Sequence, residues 1–382
     1  MIMKVLKVGT DFSGIGSPEE ALTELKKEGF LDFESEFSCE IDKYARLSHK
    51  ELHDSKVFYE DITTRNHSEV SQLDLYVAGF PCQAFSIAGK QLGFEDVRGT
   101  LFFNVAEFIK TNQPKAFILE NVKGLVSHDY GRTFQTIIDL LSNGGGTVNG
   151  QMSLDYCGDG LGYHVHYKVL NTKEHGVPQN RERIFIVGFK ESRDYGFPVK
   201  EPLKLNLKDL LQEEVDEKFF LSDKAIAKCI RHPRAIGFKD PEEYNIAGCV
   251  IAGYNKLPGD GLYLKVKSNT KKGFEEAKEG DSINYSVPTS KTRRGRVGKQ
   301  VAQTLDTGCN QGVVIGAMRG RNPKDPKIRR LTPLECWRLQ GFSDESFRKA
   351  QKVNSDTQLY KQAGNSITVD VIKKIIKNIY KK

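Results

Sequence analysis

Leu73-Asp74-Leu75-Tyr76-Val77-Ala78-Gly79-Phe80-Pro81-Cys82-Gln83-Ala84-Phe85-Ser86 is the stretch from which the rest of the chain can be read. Its first half is an apolar run of strand length, and Gly79 and Pro81 end it. Cys82 is thereby expected in a loop at the carboxyl end of a buried strand, where an open α/β sheet gathers ligands and reacting groups. Pro81 fixes its own φ and restricts Phe80, so the expected thiol sits on a stiff backbone. A lone cysteine is ordinarily just a small buried hydrophobe. The residues around it decide otherwise.

Upstream, Val5 to Val8 reads as a first strand. It runs into Gly9-Thr10-Asp11-Phe12-Ser13-Gly14-Ile15-Gly16-Ser17-Pro18-Glu19-Glu20. Strand, Gly-x-Gly turn and helix make the cradle in which backbone approaches a nucleotide. The helix is expected with Ser17 as N-cap, Pro18 at its first position and Glu20 at its third. Two acids opening a helix repel a pyrophosphate, so the turn suits a nucleoside without phosphates. Glu40 ends the second strand, where an acid commonly takes ribose hydroxyls, and Asp61 ends the third, within reach of an adenine amino group. Alone, each acid reads as a solvated surface charge. Gly-x-Gly, Glu and Asp at three successive strand ends read as a binding rim.

Downstream, Ile87 to Thr100 is a loop long enough to act as a lid, and Leu101 to Ile109 has helical spacing. Ala116-Phe117-Ile118-Leu119 is a fifth strand, which brings Glu120 to the same rim as Cys82. A helix over 133–141 precedes a glycine-rich surface insertion at 143–158. Gly162 to Leu170 alternates as a strand. Gln179-Asn180-Arg181-Glu182-Arg183 follows, with Arg181 and Arg183 expected on one face. Near the end, Val369, Ile372, Ile376 and Ile379 recur at helical spacing, which predicts a helix packed on the sheet.

Length and composition set the frame. The 382 residues fit one large domain and a smaller one, and the net charge of +7 favours a polyanionic partner. Seven scattered cysteines, with no C-x-x-C pair, speak against disulfides and a zinc site and for a reducing cytoplasm. No stretch approaches membrane-spanning length. The expectation is a soluble cytoplasmic protein, nucleoid-associated in a prokaryote, with no metal and no membrane partner.

The order Phe12-x-Gly14-x-Gly16, Glu40, Asp61, Gly79-Phe80-Pro81-Cys82-Gln83, Arg98-Gly99-Thr100-Leu101, Glu120-Asn121-Val122 and Gln179-x-Arg181-x-Arg183 resembles the DNA (cytosine-5)-methyltransferases of bacteria and phages. The resemblance resumes with Arg330-Leu331-Thr332-Pro333-Leu334-Glu335-Cys336, Leu339-Gln340-Gly341-Phe342 and Tyr360 to Ile367, and covers roughly residues 4–190 and 300–380. This sequence departs from the family in its first loop. The usual acid two residues before Phe12 is Thr10, Asp11 stands one residue later, and Ser17 replaces a glycine. The resemblance implies an α/β fold: a Rossmann-like methyltransferase domain with a mostly parallel twisted sheet, plus a smaller irregular β-rich target-recognition domain. It implies S-adenosylmethionine as methyl donor, S-adenosylhomocysteine as product, and donor contacts from Phe12, Gly14, Gly16, Glu40, Ile41, Asp61, Ile62, Pro81, Leu101, Asn365 and Ser366. Cys82 is implied as the nucleophile that adds to cytosine C6, with Glu120 at N3 and Arg183 at O2. Arg181 joins the catalytic set, holding the site or a phosphate. The target base is flipped out of the duplex. No residue stands out for removing the C5 proton, and water is the expected acceptor.

Residues 1–190 and 301–382 are thus expected to form the catalytic domain and 191–300 the recognition domain. From Ala252 to Gln300, eleven lysines and arginines face five acids. Such a run is ordinarily a solvated loop. Between two halves of a catalytic domain it reads as a DNA surface, with basic residues on phosphates and loop side chains in the major groove. The expected DNA contacts are Gln83, Ser86, Tyr254, Arg293, Arg294, Arg296 and Thr304, the last matching a family threonine near the target base. The expected partner is double-stranded DNA and the expected state a monomer; whether a cognate restriction endonuclease accompanies it, the sequence leaves open. A relative acting on tRNA and a catalytically silent DNA-binding protein are the competing readings. The basic middle segment and the intact Cys82, Glu120 and Arg183 weigh against them.

Overall fold

The apolar run before Cys82 is β4, Leu75–Ala78, buried at all four positions. The computed structural model describes residues 5–81, 101–142, 160–229, 263–288, 290, 292, 294–315 and 327–381. Around β4 lie β1 (Val5–Asp11), β2 (Asp32–Cys39), β3 (Val57–Tyr59), β5 (Ala116–Val122), β6 (His164–Asn171) and β8 (Glu182–Phe189); the short β7 (Gln179–Asn180) precedes β8. The sheet runs β3-β2-β1-β4-β5-β8-β6. Neighbours pair in parallel except at β8, which is antiparallel to both β5 and β6. The expansion of the first strand beyond Val8 carries Thr10 and Asp11 to its end.

Helices cover both faces, which is why β4 is apolar on both. Leu75 and Val77 pack into one layer with α1 (Ser17–Lys27) and α2 (Lys43–Leu52). Tyr76 and Ala78 pack into the other with α3 (Leu101–Asn112) and α4 (Arg132–Leu141). A short α5 (Asp223–Cys229) follows in the middle of the chain. The C-terminal run is α6 (Pro333–Arg338), α7 (Asp344–Gln351), α8 (Asp356–Asn365) and α9 (Val369–Tyr380). As the spacing predicts, Val369, Ile372, Ile376 and Ile379 of α9 are buried, on the face that carries α1. Lys373 then pairs with Glu24 of α1 and with Glu28, which caps its C-terminus, at 2.7 and 2.6 Å. The apolar face contributes the larger share, roughly 2 kcal/mol per buried isoleucine.

The start of α1 differs from expectation. Gly16, with φ 86°, is the N-cap; Ser17 already lies in the helix and no side chain caps it. The left-handed turn at Gly16 lets its carbonyl accept the first helical bond, from Glu20 N at 2.8 Å.

Short strands make up the second region: β9 (Leu264–Lys267), β10 (Phe274–Ala277), β11 (Ser282–Asn284), β12 (Val297–Gly298), β13 (Ala302–Gln303), β14 (Gln311–Ile315) and β15 (Lys327–Arg330); they pair antiparallel, except β13, which runs parallel to β7. Leu264, Val266, Ala277, Ile283, Val314 and Ile328 form its small core. One sheet runs β12-β11-β14-β15, so chain from both sides of position 300 pairs in it. The boundary expected at 300 therefore falls within a paired sheet. Val313 and Val314, buried toward different cores, bind β14 to both regions. Among the described residues, no helix is long and apolar enough to cross a membrane. The insertion expected at 143–158 lies outside the described residues.

Candidate active site

Strand order reverses at β1: β2 and β3 build outward on one side, and the chain returns to place β4 on the other. The crevice beyond such a switch point is where this architecture holds ligands. Here it is lined by Asp11, Phe12, Ser13, Gly14, Ser17, Val77, Gly79 and Glu120, and closed by Asn365, Ser366 and Ile367 from the end of α8. Two separate glycine-bearing loops and the C-terminal run thus meet where the sequence predicts one rim.

The loop after β1 is built on left-handed residues: Phe12 at φ 53°, Gly14 at 56° and Gly16 at 86°. A side chain at Gly14 would meet no atom within 4 Å, so the glycine answers the backbone's hand and leaves open space above it. Glu40 pins the loop. Its carboxylate accepts from Gly14 N at 2.9 Å and from Asp42 N at 2.8 Å. Burial raises the proton affinity of Glu40, and those two amides oppose it. Ile41 is 71% exposed beside it, an apolar face offered to solvent. Asp61 accepts from Thr63 N and Thr63 Oγ1 at 2.9 and 2.8 Å, and Ile62 is buried behind it. Pro81 is half-buried at the end of the β4 loop, and Leu101 opens α3.

Glu120 sits in β5 facing the crevice. Val122 lies opposite Arg183 of β8, so Glu120 and Arg183 are diagonal neighbours on one face. Arg183 Nε lies 3.1 Å from Glu120 Oε1. Burial pushes the Glu120 carboxyl up, with Arg183 and then Arg181 pulling against it. The site therefore favours a carboxyl that can keep a proton. Asn121, next in the chain, donates to Phe80 O at 2.8 Å and so ties β5 to the backbone leading to Cys82.

Arg181 departs from expectation. It falls between β7 and β8 rather than within one strand, so alternation does not carry it to the face of Arg183. It is 2% exposed and donates to the carbonyls of Leu305, Gly364 and Ser366 at 3.3, 3.1 and 2.9 Å. Gln179 does similar work, donating to Leu339 O and accepting from Leu305 N. The Gln-x-Arg-x-Arg stretch is thus a joint that fastens residues 302–305 and the end of α8 to the sheet, and only its last arginine reaches Glu120.

Arg296 is a second correction. It is 2% exposed and donates to the carbonyls of Asn284, Ser286 and Val287, so its guanidinium is enclosed by its own loop and does not face a phosphate. Arg294 is exposed, with Nε on Asn269 O at 3.1 Å. Thr304 is exposed and donates to Asn180 O at 2.8 Å. Cys82, Gln83, Ser86, Tyr254 and Arg293 lie outside the described residues.

One buried network had no sequence signal beyond an acid at the end of an apolar strand. Asp11 takes a two-pronged ion pair from Arg65 at 2.6 and 2.7 Å and a hydrogen bond from Tyr76 OH at 2.6 Å. The Arg65 guanidinium lies 4.4 Å from the Phe37 ring and 4.5 Å from that of Phe108. This links the segment after Asp61 to the base of the Phe12 loop.

The chain matches the C-5 cytosine-specific DNA methylase family over residues 7–153 and 158–381. It is 32% identical to the orphan methyltransferase M.SPRI of Bacillus phage SPR, over 99% of this chain and 98% of that protein. It is 37% identical to the type II methyltransferase M.NgoBI of Neisseria gonorrhoeae, over 88% and 83%. Among solved structures, the S. pombe Dnmt2 methyltransferase superposes with a TM-score of 0.59 at 15% identity, over 97% of each chain. A putative DNA modification methyltransferase from an E. coli prophage superposes at 0.55 and 19%, over 98% of each. These two share the α/β fold with its mostly parallel sheet.

Proposed function

This chain belongs to the C-5 cytosine-specific DNA methylase family and is a DNA methyltransferase, and from that premise we propose that it methylates carbon 5 of cytosine within a short specific sequence of duplex DNA, by base flipping and a covalent bond between Cys82 and C6. The observation that carries this reading is the Glu120–Arg183 pair: Glu120 is buried and lines the crevice beside the strand that leads to Cys82, and the half-buried Arg183 reaches it at 3.1 Å.

S-adenosylmethionine fits the crevice and, when bound, supplies an electrophilic methyl group. Phe12, Gly14 and Gly16 would hold it from the first loop, Glu40 at the ribose, Asp61 and Ile62 at the adenine edge, and Ile41 against the adenine face. Pro81, Leu101, Asn365 and Ser366 would close around it. The open space over Gly14 and the buried, unbonded Ser13 Oγ match a polar ligand at that loop.

Cytosine C5 is a weak nucleophile. Addition of the Cys82 thiolate to C6 pushes electron density onto C5 and negative charge toward N3 and O2. Glu120, whose carboxyl is pushed up by burial, meets N3, and Arg183 stabilises charge at O2. Once C5 has taken the methyl group, its proton passes to water and the C6–sulfur bond breaks, returning the Cys82 thiolate and restoring the aromatic ring. Arg181 acts on neither atom and holds the walls of the crevice together. The exposed Thr304 and Arg294 lie on the phosphate backbone of the duplex, with Gln83 and Ser86 at the vacated base.

The test is bisulfite sequencing of unmethylated duplex DNA after incubation with the protein and S-adenosylmethionine, beside a tRNA control. Protected cytosines at one recurring DNA sequence are expected. Protection of tRNA alone would refute the duplex assignment.

A further inference from the structure

Directly under the Phe12–Gly16 loop lies a group of buried polar side chains that the chemistry above does not use. Glu19 is 1% exposed. Its Oε1 accepts from Thr10 Oγ1 at 2.5 Å and from Ser38 Oγ at 3.0 Å, while its Oε2 has no hydrogen-bond partner. Glu19 thus brings a carboxylate from α1 to the end of β1.

His49 of α2 and His53, the residue just past its end, face the same loop. Their rings meet edge to face, with centroids 5.4 Å apart, and Phe58 flanks His49 at 5.0 Å. A methyl group on Gly16 would lie 2.2 Å from His53 Cδ2 and 3.2 Å from His49 Cε1, so the loop rests on the two imidazoles. Neither ring nitrogen of His49, nor Nε2 of His53, has a hydrogen-bond partner. Burial holds both neutral: His53 is pulled down to about 3, with His49 adding to the effect. Glu20 stands 3.8 Å from His53 and is anchored by Ser346 of α7 at 3.1 Å. Burying this many polar groups costs free energy that an apolar filling would avoid.

We infer that Glu19, His49 and His53 are positioning residues for the methyl donor: they support the Phe12–Gly16 loop from its inner side and fix the shape in which it receives S-adenosylmethionine. This rests on the donor assignment proposed above. Glu19 holds the end of β1 through Thr10, and the rings set the height of Gly16. None of the three lines the crevice, so they affect donor affinity and leave the cytosine chemistry alone.

Titration calorimetry of the full chain with S-adenosylmethionine tests this, alongside donor KM, kcat and duplex affinity. Glu19→Ala and His53→Ala should each weaken donor binding and raise donor KM by about tenfold, as loss of one to two buried interactions does. With donor saturating, kcat should stay within about twofold, and duplex affinity should not move. Glu19→Gln, which keeps an acceptor for Thr10 and Ser38, and His53→Phe, which keeps the ring, should recover most of the affinity. Donor binding equal to wild type in both alanine variants would overturn the inference. So would a fall in kcat at unchanged donor KM, the mark of lost folded protein. If Glu19→Ala fails to melt cooperatively, His53→Ala and His53→Phe decide on the same terms. Wild-type protein that binds duplex DNA but no S-adenosylmethionine would instead refute the donor assignment itself.

Discussion

Arg181→Met separates a residue that holds the site from one that acts on the base. The guanidinium closes three bonds to the carbonyls of Leu305, Gly364 and Ser366, all in the interior. Each carbonyl left without a donor costs about 1–3 kcal/mol if water does not reach it. Against this, the variant removes a buried cation whose proton affinity is already lowered by burial and by Arg183. Breaking such a buried charged joint typically costs ~3–5 kcal/mol, and that is the expected loss here. Arg181→Lys keeps the charge but cannot span three acceptors, so it should lose roughly half as much. The sole tryptophan reports the transition well: Trp337 is fully buried on α6 and donates to Leu359 O. Urea unfolding followed by its fluorescence should show the midpoint falling in the order wild type, Arg181→Lys, Arg181→Met. Activity per folded molecule should drop far less than stability. The reasoning fails if Arg181→Met unfolds within about 1 kcal/mol of wild type while its turnover collapses by orders of magnitude, because the guanidinium would then be working on substrate.

Other side chains give sharper chemical outcomes. Glu120→Gln should lower kcat by about 10²–10³ with duplex affinity nearly unchanged, measured by single-turnover methylation, since its contact matters as charge develops. Arg296→Gln should reduce stability and leave the salt dependence of DNA binding alone, whereas Arg294→Gln should lower the slope of log K against log salt by about 0.9 in a filter-binding series. His53 is neutral when folded, with its pKa near 3, and ordinary near 6.5 when unfolded. The unfolded chain therefore binds the extra proton, and stability should fall as pH drops below about 6.5, by about 1.4 kcal/mol per pH unit from this group. In urea titrations at several pH values, His53→Phe should flatten that slope.

Much of the fold was legible because the chain obeys period and burial rules. A strand buried on both faces must be apolar throughout, and Leu75–Ala78 is. A helix on a sheet must repeat every three to four residues, and Val369–Ile379 does. Glu40 and Glu120 were legible as acids at the ends of apolar runs. What escaped was decided by partners distant in sequence. Nothing near Arg65 marks it as the mate of Asp11, 54 residues away. Arg181 and Arg183 look alike in the sequence because alternation holds only within one strand, and the strand is interrupted between Asn180 and Glu182. Arg296 reads like its exposed neighbour Arg294 because composition cannot separate a buried guanidinium from an exposed one. The pairing of β11 with β14 rests on strands of three and five residues, too short for periodicity to announce.

The central claim is a covalent bond from Cys82 to the base, and trapping tests it most directly. A duplex carrying 5-fluorocytosine at the methylated position cannot lose a C5 proton, so the adduct persists. Incubated with S-adenosylmethionine and run on a denaturing gel, wild-type protein should form a stable protein–DNA complex, and Cys82→Ser should form none while still binding the duplex. A complex of equal yield from Cys82→Ser, or none from wild-type protein that methylates the unsubstituted duplex, would contradict the account.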